Sequence, residues 1–231
     1  VREHAPRAFD LLISKRMSAI MGFINYDLPI RPWQSPSRLL ARLNSDPDEI
    51  YGPVNALDTY RKIFERRIRY WEKRPMDDHP HTIVSVADSK LLPGSFEQEN
   101  HLFIKEKLFS FSELIGMDRA EWLRTFTNGD YAVFRLTPDK YHYNHVPVTG
   151  RVVDIYEING SYHSCNPGAL VKSVTPYSKN RRVVTIIDTD VAGGSHIGKV
   201  AMIEIVAMMI GRIVQCYSDV RYETHRPSHP G

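Results

Sequence analysis

Two histidines three residues apart, His142 and His145, stand between Pro138 and Pro147 in the segment PDKYHYNHVPVTG, 138–150. Imidazole exchanges protons near neutral pH, and it is also the commonest metal ligand. The spacing bears on which use applies. On an extended backbone, residues three apart face opposite sides, so two rings can serve two separate proton transfers but ligate one metal poorly. A third ligand would have to come from DDHPH, which holds His79 and His81; no metal site is expected. Pro147 would fix the backbone that aims the rings. The plain alternative is that both histidines simply pack.

A second chemistry-bearing pattern is GGSHIGK, 193–199, which satisfies the G-x-x-x-x-G-K spacing of a phosphate loop after a good strand. The next residue is Val200, where such a loop needs a hydroxyl for magnesium, and the following run is β-branched rather than helical. A glycine-rich turn between strands is expected instead. Asn159-Gly160-Ser161 matches a glycosylation sequon, yet Asn-Gly between strand-like runs reads as a hairpin turn. Cys165 and Cys216 are far apart in strand-like surroundings, which fits a reducing, intracellular setting without a disulfide framework.

The elements that must position these residues change character along the chain. AFDLLISKRMSAIMGFI (8–24) has apolar residues at helical spacing, and residues 57–74 carry Leu57, Tyr60, Phe64, Ile68 and Trp71 on one stripe, predicting a helix stopped by Pro75. From about residue 82 the period becomes two: 82–89, 130–137, 151–158, 181–191 and a pair within 199–217 are strand candidates. Ser110-x-x-Glu113 and Asp118-x-x-Glu121 have the form of capping boxes for short helices between them. The apolar run 197–214 is interrupted by Lys199, Glu204 and Arg212, so it reads as two buried strands joined near Gly211, not as a membrane span. Helices first and then mostly strands predict an α+β protein: N-terminal helices at 1–80, a candidate membrane-facing region, then a β-rich, barrel- or sandwich-like catalytic domain at 81–231.

Net charge is +3, which suggests no nucleic-acid partner. The basic stretch RKIFERRIRYWEKR (61–74) and the amphipathic 8–24 stretch lean toward an anionic surface such as a membrane periphery. The first ten residues, VREHAPRAFD, show no apolar core of a secretory signal.

In its residues and their order the chain resembles the phosphatidylserine decarboxylases. YHYNHVPVTG is similar to that family's DYHRxHxPxxG. FERRIRYWEKRP (64–75), VADS (86–89), KLFSFSELIG (107–116), SCNP (164–167) and SKNRRVVTIIDT (178–189) resemble its other segments in sequence order. Ser89 and Leu108 stand where the family pattern has glycine, and the sequence reaches HRPSHPG before the place where the family's Gly-Ser cleavage site is expected.

The resemblance implies a self-processing enzyme. A proenzyme serine attacks the preceding carbonyl, the chain splits, and a pyruvoyl group is left on a small α subunit. The present residues would belong to the larger, β subunit, whose cofactor is expected on the companion chain. Asp88 matches the family's carboxylate and His145 its base for self-cleavage. His142 matches a histidine suited to protonating the carbanion after carbon dioxide leaves, and a near-neutral pKa would let it do so. Tyr141 would be a substrate-facing donor or an aromatic wall. Phosphatidylserine is the substrate implied first. A soluble decarboxylase of a free aromatic amino acid such as tryptophan, or a non-catalytic binding protein, are the alternatives. A homodimer of heterodimers and a cytoplasmic or peripheral-membrane location complete the expectation.

Overall fold

Ser14 divides what the periodicity reads as one helix. Its hydroxyl accepts from the Met17 amide at 3.3 Å and donates to the Leu11 carbonyl at 2.6 Å. Helix α1 (Pro6–Leu12) therefore ends and α2 (Lys15–Gly22) begins, running on into a π-helical turn at Phe23–Asp27. The computed structural model describes residues 6–30, 34–97, 101–104, 107–164, 176–217, 220–223 and 229–230.

The single helix expected over 57–74 is not formed. After α3 (Pro36–Arg42), the chain makes two short helices, α4 (Tyr60–Phe64) and α5 (Tyr70–Lys73). Between them the backbone turns away to pair with residues 49–51. The Tyr51 amide donates to the Arg67 carbonyl at 2.9 Å, and the Arg69 amide to Glu49 at 2.8 Å. This bridge places Ile50 and Ile68 in one core with Leu39, Leu40, Ile63 and Tyr141. Tertiary burial of two β-branched residues overrides helical periodicity here.

Strands follow: β1 (Lys90–Ser95), β2 (His101–Ile104), β3 (Lys107–Ser110), then helices α6 (Phe111–Ile115) and α7 (Ala120–Thr125). Ser110 caps α6 as expected, its hydroxyl accepting from the Glu113 amide at 3.4 Å. Asp118 does not cap α7, whose N-cap position is Arg119. Next come β4 (Asp130–Arg135) and β5 (Arg151–Ile158), helix α8 (Pro176–Lys179), and β6 (Arg182–Asp188), β7 (Lys199–Ile205), β8 (Val214–Cys216), β9 (Val220–Glu223) and β10 (His229–Pro230). Every strand pairing among the described residues is antiparallel: β1 with β4, β2 with β3, β6 between β5 and β7, and β9 between β8 and β10. The α+β class is as expected, but the described strands close no barrel.

The 82–89 stretch is not a strand of any sheet: its second half, 86–89, bends, and β1 begins just after it. The Asn159–Ser161 turn makes no hairpin either. Strand β5 pairs with β6 across a long connection, and Ser161 bridges to Asn180 in parallel. Cys165 lies outside the described residues, as does SCNP beyond Ser164; Cys216 is a free, exposed thiol in β8. The GGSHIGK segment is the turn from β6 to β7: the Thr189 hydroxyl donates to the Gly198 carbonyl at 2.6 Å and accepts from the Ile197 amide at 2.9 Å. A strand follows it, not a helix, as the β-branched run requires.

The sheet core centres on β6, whose Val183, Val184, Thr185 and Ile186 are fully buried. Phe96, Phe111, Leu114 and Ile115 pack with β7 residues on one side of it. Tyr156, Val184 and Ile186 continue that core toward Trp122 and Phe126.

Candidate active site

The histidine segment runs between the helical core and the sheet, and its backbone is fixed from the 82–89 side. The Val84 amide donates to the Pro147 carbonyl at 2.9 Å, and the His145 amide to Val86 at 2.8 Å. These two bonds run in the antiparallel sense, and Asp88 follows two residues beyond Val86.

Each ring has its own neighbours. His142 lies against Phe64 at the end of α4, ring centroids 3.7 Å apart. Its Nδ1 sits 2.8 Å from the Lys140 carbonyl, which can only accept, so Nδ1 carries the proton and Nε2 presents a lone pair. Burial pushes its pKa down to about 4. This corrects the near-neutral value expected for a ready proton donor: the aromatic packing that aims the ring also keeps it uncharged. His145 lies 4.7 Å from the Tyr70 ring and 5.8 Å from Tyr141, and burial lowers its pKa too. Its Nε2 is buried without a hydrogen-bond partner. Such an atom is costly unless a donor is brought to it. Tyr141 is 5% exposed inside the helical core, with its hydroxyl pushed up to about 12 by burial, so it stands as a wall of that core.

Asp88 is not hydrogen-bonded to His145. Arg74, which follows α5, holds both its oxygens, Nε to Oδ1 at 3.1 Å and Nη2 to Oδ2 at 3.0 Å. The same guanidinium grips Glu49 at 3.1 and 3.3 Å, and the two carboxylates raise its pKa. Among the described residues no group of three or more His, Cys, Asp or Glu is placed to hold a metal. The open cavity of about 350 Å³ lined by Asp118, Arg119, Glu121, Trp122 and Asp154 involves none of these side chains.

Comparison with known proteins bears on this constellation. The family model for phosphatidylserine decarboxylase matches residues 60–226, a span that holds Asp88, His142 and His145. The chain belongs to the phosphatidylserine decarboxylase family. It is 34% identical over 170 residues to phosphatidylserine decarboxylase proenzyme 2 of Oryza sativa subsp. japonica, covering 72% of this chain and 26% of that protein. It is 28% identical over 173 residues to the proenzyme of Fusobacterium nucleatum, covering 74% and 55%. With the Bordetella avium proenzyme the identity is 30% over 207 residues, covering 84% and 67%. The chain thus spans about a quarter of the first of these relatives and about half of the second.

Within this family member, sequence reasoning missed the residues that hold the site together. Arg66 is 4% exposed; its Nη1 donates to the Ile63 carbonyl at 3.0 Å and its Nη2 to Asp139 at 2.7 Å, tying the end of α4 to the histidine segment. Arg74 does the same for Asp88 and Glu49. Both arginines lie in the basic 61–74 stretch, which charge alone presents as a solvated or membrane-facing surface. The available signal was the helix-breaking RP pair at 74–75 and an arginine at each interruption of the apolar stripe.

Proposed function

We propose that these residues are part of the large subunit of a self-processing, pyruvoyl-dependent phosphatidylserine decarboxylase, which releases carbon dioxide to leave the ethanolamine lipid. The observation that carries this reading is His145: a half-buried imidazole whose pKa is lowered by burial and whose buried Nε2 has no partner, on a segment bonded to the 82–89 stretch that holds Asp88. That atom fits the hydroxyl of a serine supplied by the companion small subunit, because a neutral imidazole nitrogen can take the hydroxyl proton and activate the oxygen. Asp88, held by Arg74, is the carboxylate available to stabilise the imidazolium that forms.

A pyruvoyl group, when formed, supplies the electron sink for loss of carbon dioxide. Its companion in this chain is His142. Nε2 of that ring is an acceptor with the proton fixed on Nδ1. An anionic headgroup beside it raises its pKa from about 4, so the donor form is created when substrate arrives. His142 then returns a proton at the carbon that lost carbon dioxide.

Membrane contact belongs to the same reading. No helix among the described residues is long and apolar enough to cross a bilayer. Leu11, Ile20, Phe23, Ile24 and Leu28 are exposed along α1, α2 and the π-turn, with Arg7, Lys15 and Arg16 exposed among them. That combination suits an interfacial surface on anionic lipid.

The test is carbon dioxide release by the complete proenzyme from phosphatidylserine vesicles and from free tryptophan. Turnover of the lipid is expected, slowed by about 10²–10⁴-fold in His142→Ala. Replacing Phe23 and Ile24 with serine is expected to raise the lipid concentration needed without changing the maximal rate. Turnover of tryptophan and not of the lipid would overturn the assignment.

A further inference from the structure

Glu204 is a carboxylate next to the end of the largely apolar strand KVAMIEI, opposite Val183 of the buried β6. Neither burial nor sheet pairing accounts for a charge there, and both its oxygens are engaged. Oε2 accepts from Gln215 Nε2 at 2.5 Å, and Oε1 from Asn144 Nδ2 at 2.9 Å. The Gln215 amide, 6% exposed, also donates to the fully buried Thr185 hydroxyl at 2.8 Å. A chain of side-chain hydrogen bonds therefore runs from the interior of β6 to Asn144, the residue between the two histidines.

The rest of the segment's side-chain support comes from the other side. His142 and His145 are held by ring packing against Phe64, Tyr70 and Tyr141, and Tyr143 accepts from Arg67 at 3.3 Å. Ring packing is tolerant of sliding, whereas a hydrogen bond to a carboxylate is directional and charge-assisted. Among the described residues, Asn144–Glu204 is the one side-chain bond that fixes 142–145 to the sheet.

We infer that Glu204 is a positioning residue, acting through Asn144 to set where the His142 and His145 rings stand relative to the substrate and the scissile serine. This rests on the reaction proposed above and adds to it a sheet-borne determinant of the histidine geometry.

The chemistry of the pair provides its own test. Asn144→Asp sets two carboxylates against each other. Glu204→Gln leaves one acceptor and one donor where two acceptors are needed. The exchange of both, Asn144→Asp with Glu204→Gln, restores every bond. The new amide at position 204 donates to the new carboxylate at position 144, and its carbonyl oxygen still accepts from Gln215. In the complete proenzyme, each single variant is expected to lose about tenfold in maximal decarboxylation rate, the size of one charge-assisted hydrogen bond, with little change in lipid KM. The double exchange should recover to within about twofold of wild type. Asn144→Asp alone should also regain activity as pH falls, because two facing carboxylates take up one proton and re-form the bond. Asn144→Ala, at an exposed position, keeps the melting temperature while losing rate, which separates positioning from folding. Wild-type rates in Asn144→Asp, or a double exchange as impaired as the singles, would overturn the inference while leaving the decarboxylase reading intact. A wild-type proenzyme that neither splits nor releases carbon dioxide would overturn both.

Discussion

The two sides that grip the histidine segment are built differently. On the sheet side, β6 is a nearly unbroken buried run, RVVTIID, with a neighbour on each edge; its aliphatic side chains need no polar help, and the buried Arg182 at its start bonds the Leu114, Ser178 and Asn180 carbonyls. On the helical side the elements are four to eight residues long. They are joined by arginines, Arg61 to Asp27, Arg66 to two carbonyls, and Arg74 to Asp88 and Glu49. Helices that short do not stand on propensity. The difference separates a scaffold from a site: the sheet supplies rigidity, while charge-assisted bonds place irregular backbone carrying imidazole and carboxylate.

The largest effect that breaks this contrast comes from the sheet. Ile186→Ala, at a fully buried position of β6, should cost about 2–5 kcal/mol in denaturant unfolding, because the cavity cannot collapse between two flanking strands. A loss well under 1 kcal/mol, about one buried methylene's worth, would show that β6 is not the rigid element.

The helical side should be distinguished next by pH. The pKa of His142 is about 4 in the fold, below its ordinary value, so the unfolded chain binds the proton first as pH falls. Its stabilisation is complete above about pH 6.5 and is lost progressively as pH drops through about 4. Partial exposure of the ring reduces the share to about 2 kcal/mol. Unfolding measured from above about pH 6.5 down to about pH 4, the window set by those two values, should show a shallower decline in His142→Phe. An unchanged slope would mean the ring is not held neutral by Phe64.

The smallest effect is the most local. Arg74→Met removes the bond from Asp88 to Glu49 across partly exposed groups and should cost only about 1 kcal/mol. The loss should be regional. Hydrogen exchange at the Val84 and His145 amides should quicken while β6 amides stay protected. Uniform loss of protection would merge the two regions into one cooperative unit.

The same contrast explains what could be read in advance. Strands β4 to β7 fall within the strand candidates, and β5 matched residue for residue at 151–158. The helix over 57–74 did not, since Ile50 and Ile68 meet across a bridge that no local period encodes. Asp88, His142 and His145 were singled out through the family resemblance, and backbone bonds from Val84 and to Val86 join the 82–89 stretch to the histidine segment. The Arg74 clamp on Asp88, the burial of His142 against Phe64 and the Glu204–Asn144 bond all join residues far apart in sequence. They become visible only when the chain is folded.

The central claim is that His145 is the base for self-cleavage. Intact mass of the complete proenzyme tests it most directly. Wild type should appear as two chains, the smaller with a blocked N-terminus, and His145→Ala as one uncleaved chain. A His145→Ala protein that divides like wild type would contradict the account.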